Sequence, residues 1–288
     1  MQGVIEALKK CELANESIIY IFSDGPRPGD EYMVETVRSY LQGLEGFKKI
    51  RIIERKENWG VEKSEIEGIS YIMSLYKRAI ILEDDTIVSK GFLKYMNEAL
   101  DLYEEAKQVF YIAGYSYLKE PVNELPQCMF LRMPATWGWA TWDDRWQKFN
   151  DYNFNVEKIL NNKLAIKKFT FDYANTDWAI TLCNQYREKK YTWDVWWHLV
   201  TFFNNGLVLI PNKSLVSNIG MDGSGVHQKG GNPYEEGTFD DEYAITDFPL
   251  EVKEKRSYRR KFVKLLKIQR STSIFGILYL WKYIKNGE

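Results

Sequence analysis

Cysteine is scarce in this 288-residue chain: Cys11, Cys128 and Cys183 are odd in number, widely separated and in no metal-ligand spacing. That excludes a disulfide framework and points to a reducing compartment, with the thiols acting as small buried apolar side chains. Long hydrophobic runs are missing too. No stretch reaches the ~18 apolar residues of a membrane span, and the opening MQGVIEALKKCEL reads as an amphipathic helix without a signal-peptide core. The expected location is therefore the cytoplasm. Net charge is close to nil, at -1, but the balance hides a basic end. Residues 251–288 hold 11 Lys/Arg against 3 acids, leaving 28 against 37 in the remainder. No RNA- or DNA-binding motif accompanies the basic run, which argues against a nucleic-acid partner.

What the chain does have is 45% hydrophobic residues over a length sufficient for one large α/β domain or two small ones. Helical spacing runs through Val4 to Leu8, about Glu31 to Leu41 and about Glu62 to Tyr76. Between them lie β-rich runs at Ser17 to Phe22, Ile50 to Ile53 and Ala79 to Leu82. Further strands are predicted at Val109 to Ala113, Cys128 to Arg132 and Gly206 to Ile210, with a helix over Asp172 to Glu188. Alternation of strand and helix predicts an α/β fold built on a mostly parallel sheet flanked by helices. The expected division is a body over 1–248 and a basic amphipathic tail over 249–288.

The chain is organised around ILEDDTIVSKGFLKYMNEAL, where a buried-strand pattern ends abruptly in Glu83-Asp84-Asp85. Burying an unpaired carboxylate costs several kcal/mol, so the three acids must emerge at the strand's carboxyl end, the edge where open α/β sheets bind ligands. Three adjacent acids repel one another unless a cation or an array of donors compensates, and a hard divalent ion is the simplest compensator. The alternative is that they cap the next helix, with Ser89 as its N-cap. Asp24, in FSDGP, ends an earlier strand and is predicted at the same edge; alone it would read as an Asx-turn residue.

Tryptophans crowd two segments, ATWGWATWDDRWQKF and YTWDVWW. Most read as a satellite core under long loops, while one or two facing a cleft would serve sugar recognition. Asn58-Trp59-Gly60 reads as a turn. The glycine-rich NIGMDGSGVHQKGG is either an ordinary loop or a segment that closes over a diphosphate, offering backbone N–H groups and His227. In the tail, Ile274 to Trp281 is too short to span a bilayer. The tail as a whole fits either a surface-lying helix on anionic lipid or a solvated helix packing Phe262, Leu265 and Leu266 onto the body.

This order of elements and motifs resembles the GT-A glycosyltransferases, in particular the inverting N-acetylglucosaminyltransferase I group and bacterial sugar transferases similar to it, over most of the chain before the tail. The resemblance implies a metal-dependent inverting transferase that moves a sugar from a nucleotide-diphosphate donor, a UDP-sugar foremost. The acceptor would be a hydroxyl of a glycan, lipid-linked or protein molecule in surface-glycan synthesis, at the inner face of the plasma membrane. By that likeness Asp85 ligates Mn2+ or Mg2+, Glu83 and Asp84 contact the ribose and neighbouring groups, and Asp24 binds the base. Asn58, Trp139, Trp193 and His227 complete the nucleotide-sugar pocket, and Asp194 is the catalytic base. The sequence departs from the pattern twice. It begins at a helix where family members usually have a preceding strand, and Val195 follows Asp194 where the family tolerates an acid. Rival readings are a metal-dependent phosphohydrolase or nucleotidyltransferase using the same acids, and a non-catalytic carbohydrate- or nucleotide-sugar-binding subunit.

Overall fold

The computed structural model describes residues 1–150, 155–222, 239–270 and 274–286. The chain opens with helix α1 (Gln2–Lys9), whose Val4, Ile5 and Leu8 share one side and are buried. Next come β1 (Ile18–Ser23), α2 (Glu31–Gln42), β2 (Lys49–Glu54), α3 (Gly60–Tyr76), β3 (Arg78–Ile81), β4 (Thr86–Val88) and α4 (Phe92–Leu102). The middle of the chain holds β5 (Val109–Ala113), β6 (Cys128–Leu131), β7 (Trp139–Trp142), α5 (Asp143–Trp146), α6 (Glu157–Leu160), α7 (Lys163–Phe169), α8 (Asp177–Glu188) and α9 (Trp193–Phe203). Strands β8 (Leu207–Pro211) and β9 (Val216–Asn218) precede the tail helices α10 (Arg256–Gln269) and α11 (Ile274–Asn286).

The molecule is α/β, and β1 and β2 pair in parallel from Ile18 opposite Lys49 to Ser23 opposite Glu54. Helices sandwich this pair. Ile21 of β1 packs with Ile5 and Leu41 on one face, while Phe22 meets Gly68 and Tyr71 of α3 on the other. The expectation of a mostly parallel sheet does not survive beyond it. The main sheet has five strands in the order β3-β7-β5-β8-β6, and only β5 with β8 is parallel. The cause is β7, Trp139-Ala140-Thr141-Trp142, which returns antiparallel between β3 and β5 with Ile81 opposite Trp139. Alternation of strand and helix predicts parallel neighbours only if no later segment inserts between them, and here one does.

Strands β5, β7 and β8 are buried at every position, as two-sided burial in a layered sheet requires. Beside them Trp146 and Trp197 close over Trp139 and Tyr111. Arg145 is buried in this layer, donating to the carbonyls of Val109, Tyr103 and Glu104 while pairing with Asp144. A second cluster forms among α6 to α9 and takes in Leu280 of α11.

The tail is stitched onto the body. Phe262, Val263 and Leu266 of α10 are buried against the main core, Arg259 pairs with Asp172 and Glu254, and Arg187 donates to the Tyr283 and Ile284 carbonyls of α11. The apolar side of α10 is thus spent on the protein rather than left for a lipid surface. Among the described residues no helix is long and apolar enough to cross a membrane. All three cysteines are buried and free.

Candidate active site

Glu83, Asp84 and Asp85 occupy the turn from β3 into β4, closed by the Thr86 N–H donating to the Glu83 carbonyl at 3.2 Å. They do not cap α4. Strand β4 and Ser89 to Gly91 intervene, the helix starts behind Gly91, and Ser89 is buried with its hydroxyl unpartnered among the described residues. Strand β4 exists because β9 lies beside it, Thr86 opposite Asn218. That ribbon fixes Asp85 from several directions. Its carboxylate accepts from the Thr86 hydroxyl at 3.3 Å and from the Asn218 side chain, and its carbonyl accepts from the Ile219 N–H at 2.8 Å. Gly220 lies so close that a Cβ there would stand 2.3 Å from Asp85 Oδ2. Burial, then the charge of Asp84, holds the Asp85 carboxyl above its ordinary value despite those hydrogen bonds.

Glu83 is the electrostatic centre of the group. Burial pushes its carboxyl up to about 8, and the charges of Glu65, Asp85, Asp194 and Asp84 push the same way. Glu65, from α3, is raised to about 7 by burial and by Asp84, with Arg55 opposing. Asp194 is half-exposed in the first turn of α9. Acids from α3, the β3–β4 turn and α9 therefore lie near enough for their charges to act on Glu83, and Arg55 is the cation that acts on Glu65. The Arg55 guanidinium is buried, bonds to Ser64 and lies 4.1 Å from the centre of the Trp59 ring.

Glu65 was not legible as a site residue, although a signal exists. Val61, Glu65, Gly68, Ile69 and Ile72 fall at helical spacing on α3, and one acid interrupts an otherwise apolar or small face. All five line a cavity of about 1200 Å³ whose lining also includes Asp24, Asn58, Glu83 and Asp84. Asp24 and the acidic turn thus share one cavity, as their placement at strand ends requires.

Asp24 itself is occupied with the fold. Its oxygens accept from the Trp59 N–H at 2.9 and 3.0 Å and from the Gly60 N–H at 2.9 Å, holding the start of α3 across the loop. This is the turn-forming role that its neighbours Gly25 and Pro26 suggest. Asn58 donates to the Gly25 carbonyl at 2.8 Å, and Gly25 sits where a Cβ would fall 2.3 Å from the Glu57 carbonyl carbon.

The tryptophans need correction. Trp139 is 1% and Trp193 5% exposed, stacked on each other at 5.7 Å inside the aromatic layer, so neither offers a face to a sugar. The strand that carries Trp139 is the one wedged into the sheet, which is why its ring is interior. Trp137, half-buried just before β7, touches Tyr115 at 4.6 Å, and its neighbour Gly138 abuts Leu82, next to Glu83. His227 lies outside the described residues.

For a divalent cation, the donor chemistry here is right and the enclosure is partial. The carboxylates are oxygen ligands with unneutralised mutual repulsion, yet among the described residues no three acids, histidines or cysteines converge closely enough to hold an ion by themselves. A cation would take one or two carboxylates and complete its shell from phosphate oxygens and water, the habit of Mg2+. A scan against protein-family models gives no match, and neither does a search of curated proteins.

Proposed function

We propose that the chain is a metal-dependent, inverting glycosyltransferase acting on a nucleotide-diphosphate sugar, with its reaction centre among Glu83, Asp85 and Asp194. The observation that carries this reading is that the charge of Asp194, from an element more than a hundred residues away in sequence, is among those that act on Glu83 in the acidic turn after β3. Two jobs need doing in such a transfer, and the acids divide into two sets that suit them. Asp85, held by Thr86 and Asn218, and Glu83 are the residues that would hold Mn2+ or Mg2+, which supplies charge stabilisation for a departing diphosphate. Asp194, half-exposed in the first turn of α9 and with no side-chain hydrogen bond among the described residues, is the residue to which the proposal assigns the acceptor proton.

In the transfer an acceptor hydroxyl gives its proton to Asp194 as its oxygen bonds to the anomeric carbon. The bond from that carbon to the diphosphate oxygen breaks on the opposite face, and its electron pair leaves with the diphosphate. Trp139 and Trp193 are buried and are left out of the proposed sugar contacts. The burial of those two weakens the reading of a purely carbohydrate-binding subunit. The GT-A architecture, a UDP-sugar as donor, a glycan or lipid-linked acceptor, and attachment to a membrane surface belong to the same proposal. The basic outer side of α10, with Arg256, Arg260 and Lys264 exposed, is what favours the last.

A thermal-shift panel of nucleotide sugars with and without Mn2+ tests binding, because a ligand of the native state raises the melting temperature. Product analysis then tests the reaction. Asp194→Asn is expected to keep donor binding and to lower turnover by ~10² or more, the scale of a lost general base. Free phosphate or pyrophosphate in place of a sugar joined to an acceptor would move the chain to the hydrolase or nucleotidyltransferase class.

A further inference from the structure

Among the described residues, strands β1 and β3 are each paired on one side only. Among the described residues the hydrogen-bonded neighbour of β1 is β2 and that of β3 is β7, and the 1200 Å³ cavity lies between their other edges. Every residue of both strands, Ile18 to Ser23 and Arg78 to Ile81, lines it. A cavity over one face of a strand would meet alternate residues; one that meets all of them runs along an edge. The two strands also point the same way. Tyr20 of β1 bonds to Tyr76, just before β3, at 2.9 Å. At the far end Arg55 connects Phe22 with Glu65, the neighbour of Glu83 just after β3.

From this geometry we infer that the slot between β1 and β3 is a docking site for an extended, apolar peptide segment that inserts as a parallel strand and joins the two sheets. Two rows of unpaired backbone donors and acceptors face the slot, and burying such groups without partners is costly. An inserted strand satisfies both rows at once; a lipid chain or a small apolar molecule satisfies neither. The walls specify the side chains. Ile5 and Leu8 of α1 and Ile69 and Ile72 of α3 line the slot, so an occupant flanked by helices must be apolar on both faces, as a central parallel strand is. The charged residues of the lining lie at the strand ends and in the loops beyond them: Asp24, Glu65, Glu83 and Asp84 at the carboxyl ends of the two strands, Glu16 and Arg78 at their starts, and Arg27 and Asp30 in the loop after β1. Insertion between strands is a known mode of peptide recognition. The inference does not depend on the proposed activity.

The test uses the full chain and a synthetic peptide, Lys-Lys-Val-Ile-Val-Val-Ile-Val, with a second peptide of the same side chains N-methylated at every residue, so that it has no backbone donor for either strand. Hydrogen exchange of the β1 and β3 amides is followed by mass spectrometry. The unmodified peptide is expected to slow exchange in both strands by about tenfold or more, as pairing protects an edge amide, and the N-methylated one is expected to leave it unchanged. Equal effects from the two peptides would assign the cavity to a non-peptide apolar ligand and overturn the inference. No protection by either would overturn it as well. Protection that rises with protein concentration in the absence of peptide would assign the slot to a second copy of the chain, with the same consequence.

Discussion

The acids of the β3–β4 turn should make the fold less stable as pH rises, and Glu83 gives the effect its size. Its carboxyl is raised from 4.5 to about 8 in the folded chain. A carboxyl whose folded value is raised contributes stability that is fully present below the unfolded value and is lost as pH rises through the folded value. Between the two values the folded state holds a proton that the unfolded state has released, so stability falls by ~1.36 kcal/mol per pH unit. From pH 6.5 to pH 8 that amounts to about 2 kcal/mol, and Glu65, raised to about 7, adds a smaller loss at the lower end of the same window. Starting at 6.5 avoids His198, which burial holds down at about 4 and which acts only in more acid solution. Urea unfolding of the wild type and Glu83→Gln, with chelator present, measures the difference at pH 6.5 and pH 8.5. The wild type should lose about 2 kcal/mol more than the variant across that interval. Parallel losses in the two proteins, or a wild type more stable at the higher pH, would refute the burial and repulsion assigned to Glu83.

Gly220→Ala would drive a Cβ into Asp85 Oδ2. It should lower stability by ~1–3 kcal/mol and weaken nucleotide-diphosphate binding in calorimetry; unchanged values for both would mean that Asp85 is not held where the ribbon puts it. Trp139→Ala should cost ~3–5 kcal/mol in a denaturant titration, as the loss of a buried ring does. Trp137→Ala should cost less, because that ring is only half-buried, and an equal loss would mean that Trp137 belongs to the core as fully as Trp139.

Much of the fold could be read from local pattern. Val109 to Ala113 is a strand over the range its β-branched and aromatic residues predict, and Glu31 and Tyr76 bound helices where the periodicity places them. What failed was direction and neighbourhood. WATW carries no alternation, because a strand covered on both faces has no polar side, and its tryptophans looked like cover rather than sheet. Its insertion changed the sheet from parallel to mixed and moved Trp139 from a possible sugar platform to the interior. The tail shows the same division between what is local and what is not. Helical spacing gives Phe262 and Leu266 a common side, but whether protein or lipid covers it depends on where α10 docks. At the site, the acidic turn was legible because charge cannot follow an apolar run into the core. Glu65 was overlooked because only the packing of α3 against β1 and β3 reveals which way that face of the helix looks.

The acidic cluster is a place where the chain holds together against its own electrostatics. Burial and neighbouring acids raise both Glu83 and Glu65; among the described residues Arg55 offsets this at Glu65 and no group does so at Glu83. Replacing either by an apolar residue of similar size would relieve that tension, so stability alone does not explain the acids. The surrounding framework is nevertheless arranged to keep them in place, through the β4–β9 ribbon at Asp85 and the Asp24 carboxylate anchoring the start of the helix that carries Glu65. Carboxylates held together at a cost, in the lining of a cavity and within range of the charge of a half-exposed Asp194, are what a site needs if its charge is to be met by a ligand rather than by the protein. The same physics makes Glu83 the residue to probe first, since its titration reads the tension directly and needs no substrate.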